Sequence, residues 1–430
     1  MHNNPPGNKE QLEKIDPDIE SGVDNQKDQH SETTKPKKSH KKLVILLIAL
    51  GVLGTITGLA LWYIKPWQNL AGVNAPVIIK DEQKQTESVP YKLEVITENL
   101  NVPWSLAFTS NERILVAERP GSIKIVENGK VNSRPLVTFA EVKSEAEEGL
   151  MGMALDPNYQ QNRQVYACMA YQQDNQLQDK VVRFKDNGSS ASDFVTILDN
   201  IPAAEFHAGC KLKFGPDEKL YITTGDATQK NIAQDLNSLG GKILRINSDG
   251  SIPADNPFGN SAVWSYGHRN PQGICWQPDT DQLFSVEHGP SGNDGPGGGD
   301  EVNIINKGAN YGWPLVSHEN KREGTVAPLL VFTPAVAPGA CTFYSGDKLP
   351  QFKENMFFAA LRGEGLYRIE FSKSDPKQIT KFEKMSDINL GRLREVIEGP
   401  DGNLYFTTSN RDGRGKPQPG DDKMMVIKPQ

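Results

Sequence analysis

His207 stands in the segment FHAGCKLKFGPDEKLYITTGD, residues 206–226, and a histidine can act as a general base near neutral pH. Gly209, two positions on, lets the backbone approach closely. A histidine just ahead of a strand is more often structural, so a catalytic reading rests on its neighbours. Arg269 and Asn270, within YGHRNPQG at 266–273, set a planar cationic fork beside an amide, a pair suited to a flat, carbonyl-rich or polyanionic ligand. Arg392 and Arg394, within GRLRE, are two apart and would share one face of a strand. Parallel guanidiniums repel unless an anion lies between them; the plain alternative is a solvated surface pair. Arg362, in LRGEG, adds another cation. Four arginines without a phosphate-binding loop suggest a small ligand carrying several carboxylates.

The segment from Glu287 to Asn303, EHGPSGNDGPGGGDEVN, is rich in glycine and in oxygen donors of the kind hard cations such as calcium take. Its spacing is not that of an EF-hand, and a surface loop is the alternative reading. No glycine-rich fingerprint opens a helix after a strand, and no Walker loop or GxSxG elbow occurs, which disfavours NAD, nucleoside triphosphates and serine-hydrolase chemistry. No His/Cys cluster suggests a transition metal.

The elements that must position these groups repeat along the chain. A short apolar segment leads to a turn, often x-Pro-Asp or x-Pro-Asn, and the turn leads to a strand. Taking Phe108, Leu155, Phe214, Trp276, Phe343 and Glu398 as equivalent positions, the spacings are 47, 59, 62, 67 and 55 residues. Six strand-built repeats at this period predict an all-β fold, a six-bladed β-propeller, over residues 92–430. The strand after each turn is expected to be innermost. It would deliver Arg119, Tyr171, Asp226, Glu287 with His288, Arg362 and Asn410 to one mouth of the central channel.

Residues 1–42 are polar and nearly free of aromatics, a composition that predicts a disordered tail. Residues 43–64 form an uncharged run of 22 residues, about 33 Å as a helix and long enough to span a bilayer. A signal peptide fits poorly, because some forty polar residues come first and no small-residue cleavage site follows. Lys35, Lys37, Lys38, Lys41 and Lys42 precede the run and Lys65 alone lies close after it. The N-terminus is therefore expected in the cytoplasm and the propeller outside it, in the cell membrane's extracytoplasmic space, joined by a linker over 65–91. Four cysteines, Cys168, Cys210, Cys275 and Cys341, allow three pairings there. The net charge of −7 and the lack of a basic stripe argue against a nucleic-acid partner.

The motifs VPWSLAF, GLMGMALDP, HAGCKLKFGPDEKLYITTGD, YGHRNPQG, EHGP followed by GDEVN, NYGWP and GRLREV occur in this order from about Val95 to the C-terminus. Together they resemble the glucose/sorbosone dehydrogenase family, the soluble quinoprotein aldose sugar dehydrogenases. The resemblance implies a propeller that holds pyrroloquinoline quinone (PQQ), a flat tricarboxylate, and calcium at the channel mouth. It implies oxidation of an aldose at C1 to the lactone, with His207 as base, hydride passing to the quinone and Asp226 as an acidic neighbour. Arg269 and Asn270 would contact the quinone, Arg392 and Arg394 its carboxylates, and Arg362 would lie against it. The carbonyls of Gly289 and Pro290 match one branch's calcium ligands, and Glu301 and Tyr311 match a calcium site of another.

Several positions depart from the family pattern. Glu147, facing cofactor and substrate, replaces a usual glutamine; Cys210 and Lys211 replace Gly-Arg; Thr333 and Ala335 lack the side chains that shape the sugar pocket in the glucose-oxidising branch. The electron acceptor has no signature in the sequence. Two other functions remain: a cofactor-free propeller serving as a binding module, and a calcium-dependent lactonase-type propeller. A degenerate binder has no physical need to keep His207, Arg269, Asn270, Arg392 and Arg394 together, and a lactonase needs a carboxylate-and-Asn metal cage that these motifs do not supply.

Overall fold

The computed structural model describes residues 90–430 apart from residue 376. The expected tail, membrane span and most of the linker lie outside the described residues. Among the described residues no helix is long and apolar enough to cross a membrane.

Six antiparallel sheets follow one another along the chain and form the six blades. Blade one covers Pro103–Phe108, Arg113–Glu118, Ser122–Glu127 and Lys130–Val131, and blade two Leu150–Leu155, Gln164–Gln173, Gln176–Asp186 and Ala191–Pro202. Blade three covers Gly209–Phe214, Leu220–Thr224, Lys242–Ile246 and Val263–Tyr266, and blade four Pro271–Trp276, Leu283–Glu287, Asp300–Ile305 and Leu330–Phe332. Blade five covers Pro338–Phe343, Met356–Ala360, Gly365–Phe371 and Ile379–Lys384. Blade six takes Leu393–Glu398, Leu404–Thr408 and Met424–Pro429, and its outer strand is the N-terminal Tyr91–Thr97. Pairing the N-terminal strand with the last strand of the chain ties the two ends together and closes the ring.

The second strands, such as LYITT, MFFAA and LYFTT, are buried on both faces, which is why they read as continuous apolar runs. The core is divided into six apolar clusters, one at each junction between neighbouring blades. The recurring turn has its own logic. Asp217 accepts from the Lys219 amide and from the Tyr221 hydroxyl, and Asp401 does the same with the Asn403 amide and the Tyr405 hydroxyl. The aspartate thus closes an Asx-type turn and fixes the first aromatic of the next strand.

One expectation is corrected. The innermost strand of each blade is the apolar segment before the turn, since those six first strands pack against one another around the channel. The mouth positions survive the correction because the strands are antiparallel: Gly209 lies opposite Thr224, Pro271 opposite Glu287, and Leu393 opposite Thr408. The start of each first strand and the end of each second strand therefore reach the same rim.

The cysteines pair as Cys168–Cys210, joining blades two and three, and Cys275–Cys341, joining blades four and five. With sequence separations of 42 and 66 residues, each constrains the unfolded chain by about 4 kcal/mol on the chain-entropy account.

Candidate active site

His207 precedes the inner strand of blade three and adopts a left-handed backbone with φ 65°. Gly225 makes room for it, because a Cβ there would lie 1.5 Å from the His207 carbonyl oxygen. The His207 Nδ1 is 2.6 Å from Asp226 Oδ1. Asp226 also accepts from Trp313 Nε1 at 2.7 Å and from the Thr228 amide at 2.9 Å. A carboxylate already accepting from two donors is held as an acceptor, so Nδ1 donates its N–H to it and the Nε2 lone pair is left free to act as base. The His207 side chain is 12% exposed while that of Asp226 is buried, so the imidazole is the member of the pair that reaches solvent.

Glu147 accepts the His207 backbone amide at 3.0 Å and the Arg414 guanidinium at 3.3 Å. Burial pushes its carboxyl up, but His288, Arg414 and His207 outweigh that and hold it below the usual glutamate range. Asn270 accepts the Gly209 amide at 3.0 Å and reaches Glu147 at 3.4 Å with its amide nitrogen. Gln272 then links Asn270 to Arg394: it donates to Asn270 Oδ1 at 2.9 Å and accepts from Arg394 Nη1 at 2.9 Å.

Arg394 is deeply buried, 3.6 Å above the Trp104 ring, and its Nε has no partner. Burial pulls its guanidinium down to about 9, opposed by Asp412. Arg119 is pulled down by burial as well, and its Nε is also unpartnered. Arg392 is held by Asp412 at 2.6 and 2.8 Å. Arg269 donates to Asp294 at 2.7 Å and packs over Trp313, the same ring that bonds Asp226. One connected network thus carries His207, Asp226, Glu147, Arg269, Asn270 and Arg394. Arg362 stands apart, exposed in the turn after the second strand of blade five.

The oxygen-rich segment folds into two parts. Asp300 accepts the amides of Gly289, Val336 and Ala337, which pins the Gly289–Pro290 turn. Beside it lies a cavity of about 10 Å³ lined by Glu287, Glu301, Gly289, Pro290 and Tyr311. Glu301 faces Glu287 across the strand pair, and burial together with Glu287 pushes its carboxyl well above the usual range. The Tyr311 hydroxyl is already bonded to the Ile304 carbonyl at 2.6 Å, and its ring stacks on His268.

Trp313, Asp294, Asp412, Gln272 and Arg414 were not reached from the sequence. Trp313 lies in NYGWP and Asp412 just past the last second strand, so motif and position pointed near both without assigning a role.

The model of the family described as Glucose / Sorbosone dehydrogenase matches residues 100–416. The aldose sugar dehydrogenase of Escherichia coli is 34% identical over 345 residues, 75% of this chain and 91% of that protein. Among solved structures, a putative oxidoreductase (glucose dehydrogenase) of Thermus thermophilus is 40% identical with a TM-score of 0.72, covering 79% of this chain and 100% of its own. The PQQ-bound aldose sugar dehydrogenase of Streptomyces coelicolor is 32% identical with a TM-score of 0.69, covering 80% and 99%. With its six blades, its histidine–aspartate pair and a match over most of its length, the chain belongs to the glucose/sorbosone dehydrogenase family.

Proposed function

We propose that this protein is a PQQ-dependent aldose dehydrogenase that oxidises the sugar at C1 to the lactone, with calcium as a second cofactor. The observation that carries the reading is Arg394: a buried guanidinium with an unpartnered Nε, joined through Gln272 and Asn270 to the backbone beside His207. A buried, under-bonded cation calls for an anion, and a tricarboxylate supplies one. Arg392, Arg394 and Arg119 would hold the carboxylates, with Asn270, Arg269 and Glu147 around the ring and Arg362 at the rim. When bound, PQQ supplies the acceptor for the two electrons leaving C1. Calcium would supply Lewis-acid polarisation, and the cavity between Glu287 and Glu301 suits one hard ion: it offers oxygen donors and two acids that repel without a cation.

The chain's own residues do the proton chemistry. His207 Nε2 takes the proton of the anomeric hydroxyl, and Asp226 fixes the tautomer and stabilises the imidazolium that forms. Arg269 provides a fixed positive charge, oriented by Asp294 and Trp313, where negative charge develops.

The direct test is titration of the purified full chain with PQQ in the presence of calcium, followed by the cofactor's absorbance. Saturation at micromolar PQQ is expected, weakened about 10- to 100-fold in Arg394→Met, the equivalent of one or two charge-assisted bonds. No binding at micromolar PQQ removes the enzyme reading and leaves a binding module.

The propeller is further proposed to lie outside the cytoplasm on the 43–64 anchor. The lysine flank and two disulfides across blade junctions support this, because disulfides persist in oxidising compartments. Alkaline carbonate extraction should leave the chain in the membrane pellet; release into the supernatant contradicts the anchor.

A further inference from the structure

Glu148, beside Glu147, and Asp179, on the third strand of blade two, are both fully buried. Asp179 lies opposite Ala170 on the same ladder in which Val181 lies opposite Cys168, so all four side chains leave the sheet on one face. Cys168 is bonded to Cys210 of blade three, so that face looks onto blade three. The Ala170 amide donates to the Gly149 carbonyl, which sets Asp179 level with Glu148 at the mouth end of the blade. Asp179 is the strongest charge acting on Glu148, and the Ala204 amide, three residues before His207, acts on it too.

No donor meets any of the four carboxylate oxygens at good hydrogen-bond geometry, although the two carboxyls lie within hydrogen-bonding reach of each other and the Ala204 amide approaches Glu148. Other buried carboxylates are well supplied: Asp300 takes three backbone amides, Asp226 an imidazole, an indole and an amide, Glu287 an imidazole and an amide. No basic side chain is among the principal neighbours of either Glu148 or Asp179. Two acids sealed between blades and facing each other, with no basic side chain to balance them, are costly to leave ionised without a cation.

We propose that Glu148 and Asp179 form a binding site for a hard divalent cation, calcium in particular, between blades two and three behind His207. The donors are all oxygen, which excludes the softer metals, and the two carboxylates match a divalent charge. Two bidentate carboxylates satisfy four of the six to eight positions calcium takes, whereas magnesium demands near-octahedral geometry and keeps its waters. The ion fastens the loop carrying Glu147, which in turn holds the His207 amide. This site is separate from the Glu287–Glu301 cavity in blade four and does not depend on the quinone.

The test measures bound calcium per chain by elemental mass spectrometry after the full chain is loaded with calcium and desalted. Glu148→Gln and Asp179→Asn should each carry one equivalent fewer than the unmutated chain. Restoring calcium to about 100 times its Kd should raise the melting temperature of the unmutated chain by roughly 5 °C more than that of Asp179→Asn. Glu301→Gln, which leaves Glu148 and Asp179 intact, should retain one calcium and so tests the site even if the first two variants do not fold. Equal calcium in the unmutated, Glu148→Gln and Asp179→Asn chains, or none in Glu301→Gln, overturns the proposal. Either result is what two carboxyls sharing a proton would give.

Discussion

At the scale of the residue, the proposed chemistry rests on one hydrogen bond. Asp226 is bonded to the Nδ1 side of His207, and the Trp313 indole and Thr228 amide keep it an acceptor. Asp226→Asn puts an amide there, which favours the tautomer with its proton on Nε2 and so removes the base. A fall in kcat of about 10³-fold is expected, with PQQ affinity little changed, since Asp226 acts on the base and not on the carboxylates. A fall in affinity with kcat retained would place Asp226 in the cofactor pocket instead. Much of this level was legible in the chain: His207, Arg269, Asn270 and Arg394 stand in motifs whose residue types declare their chemistry. Asp294 and Asp412 were not legible. Each neutralises an arginine from 25 or 20 residues away through a loop whose path no periodicity records.

At the scale of the element, the site is the rim where each first strand begins and each second strand ends. Antiparallel pairing alone brings His207 level with Asp226, and Asn270 level with His288. The same geometry explains why the wrong strand was expected at the channel. Both members of the pair are short and apolar, and pattern cannot rank two buried strands by distance from an axis. Gly225 is the tightest point of this rim, where the end of one strand passes under the backbone of His207. Gly225→Ala has to push His207 outward or unpair the strand. It should cost about 2 kcal/mol in thermal unfolding and lower kcat well before it affects PQQ binding. Unchanged melting and turnover would mean that the rim takes up the methyl group without moving His207.

At the scale of the whole molecule, six blades converge on one mouth and the N-terminal strand closes the ring. The blade count was legible because the Asp of the repeated turn has a local job that leaves a mark in the sequence. The disulfide pairing and the closing strand were not, since both depend on which segments meet only after the ring has formed. What the ring achieves is convergence: arginines from blades one, four and six and a histidine from blade three surround one small volume, while the acids that steady them come from the intervening loops. On the proposed function, this convergence is an aldose-oxidising site with His207 as its base. The most direct test follows aldose-dependent reduction of an artificial electron acceptor by the full chain loaded with PQQ and calcium, beside His207→Gln loaded in the same way. Turnover is expected in the first and PQQ bound without turnover in the second; turnover that survives in His207→Gln, or is absent from the loaded unmutated chain, contradicts this assignment.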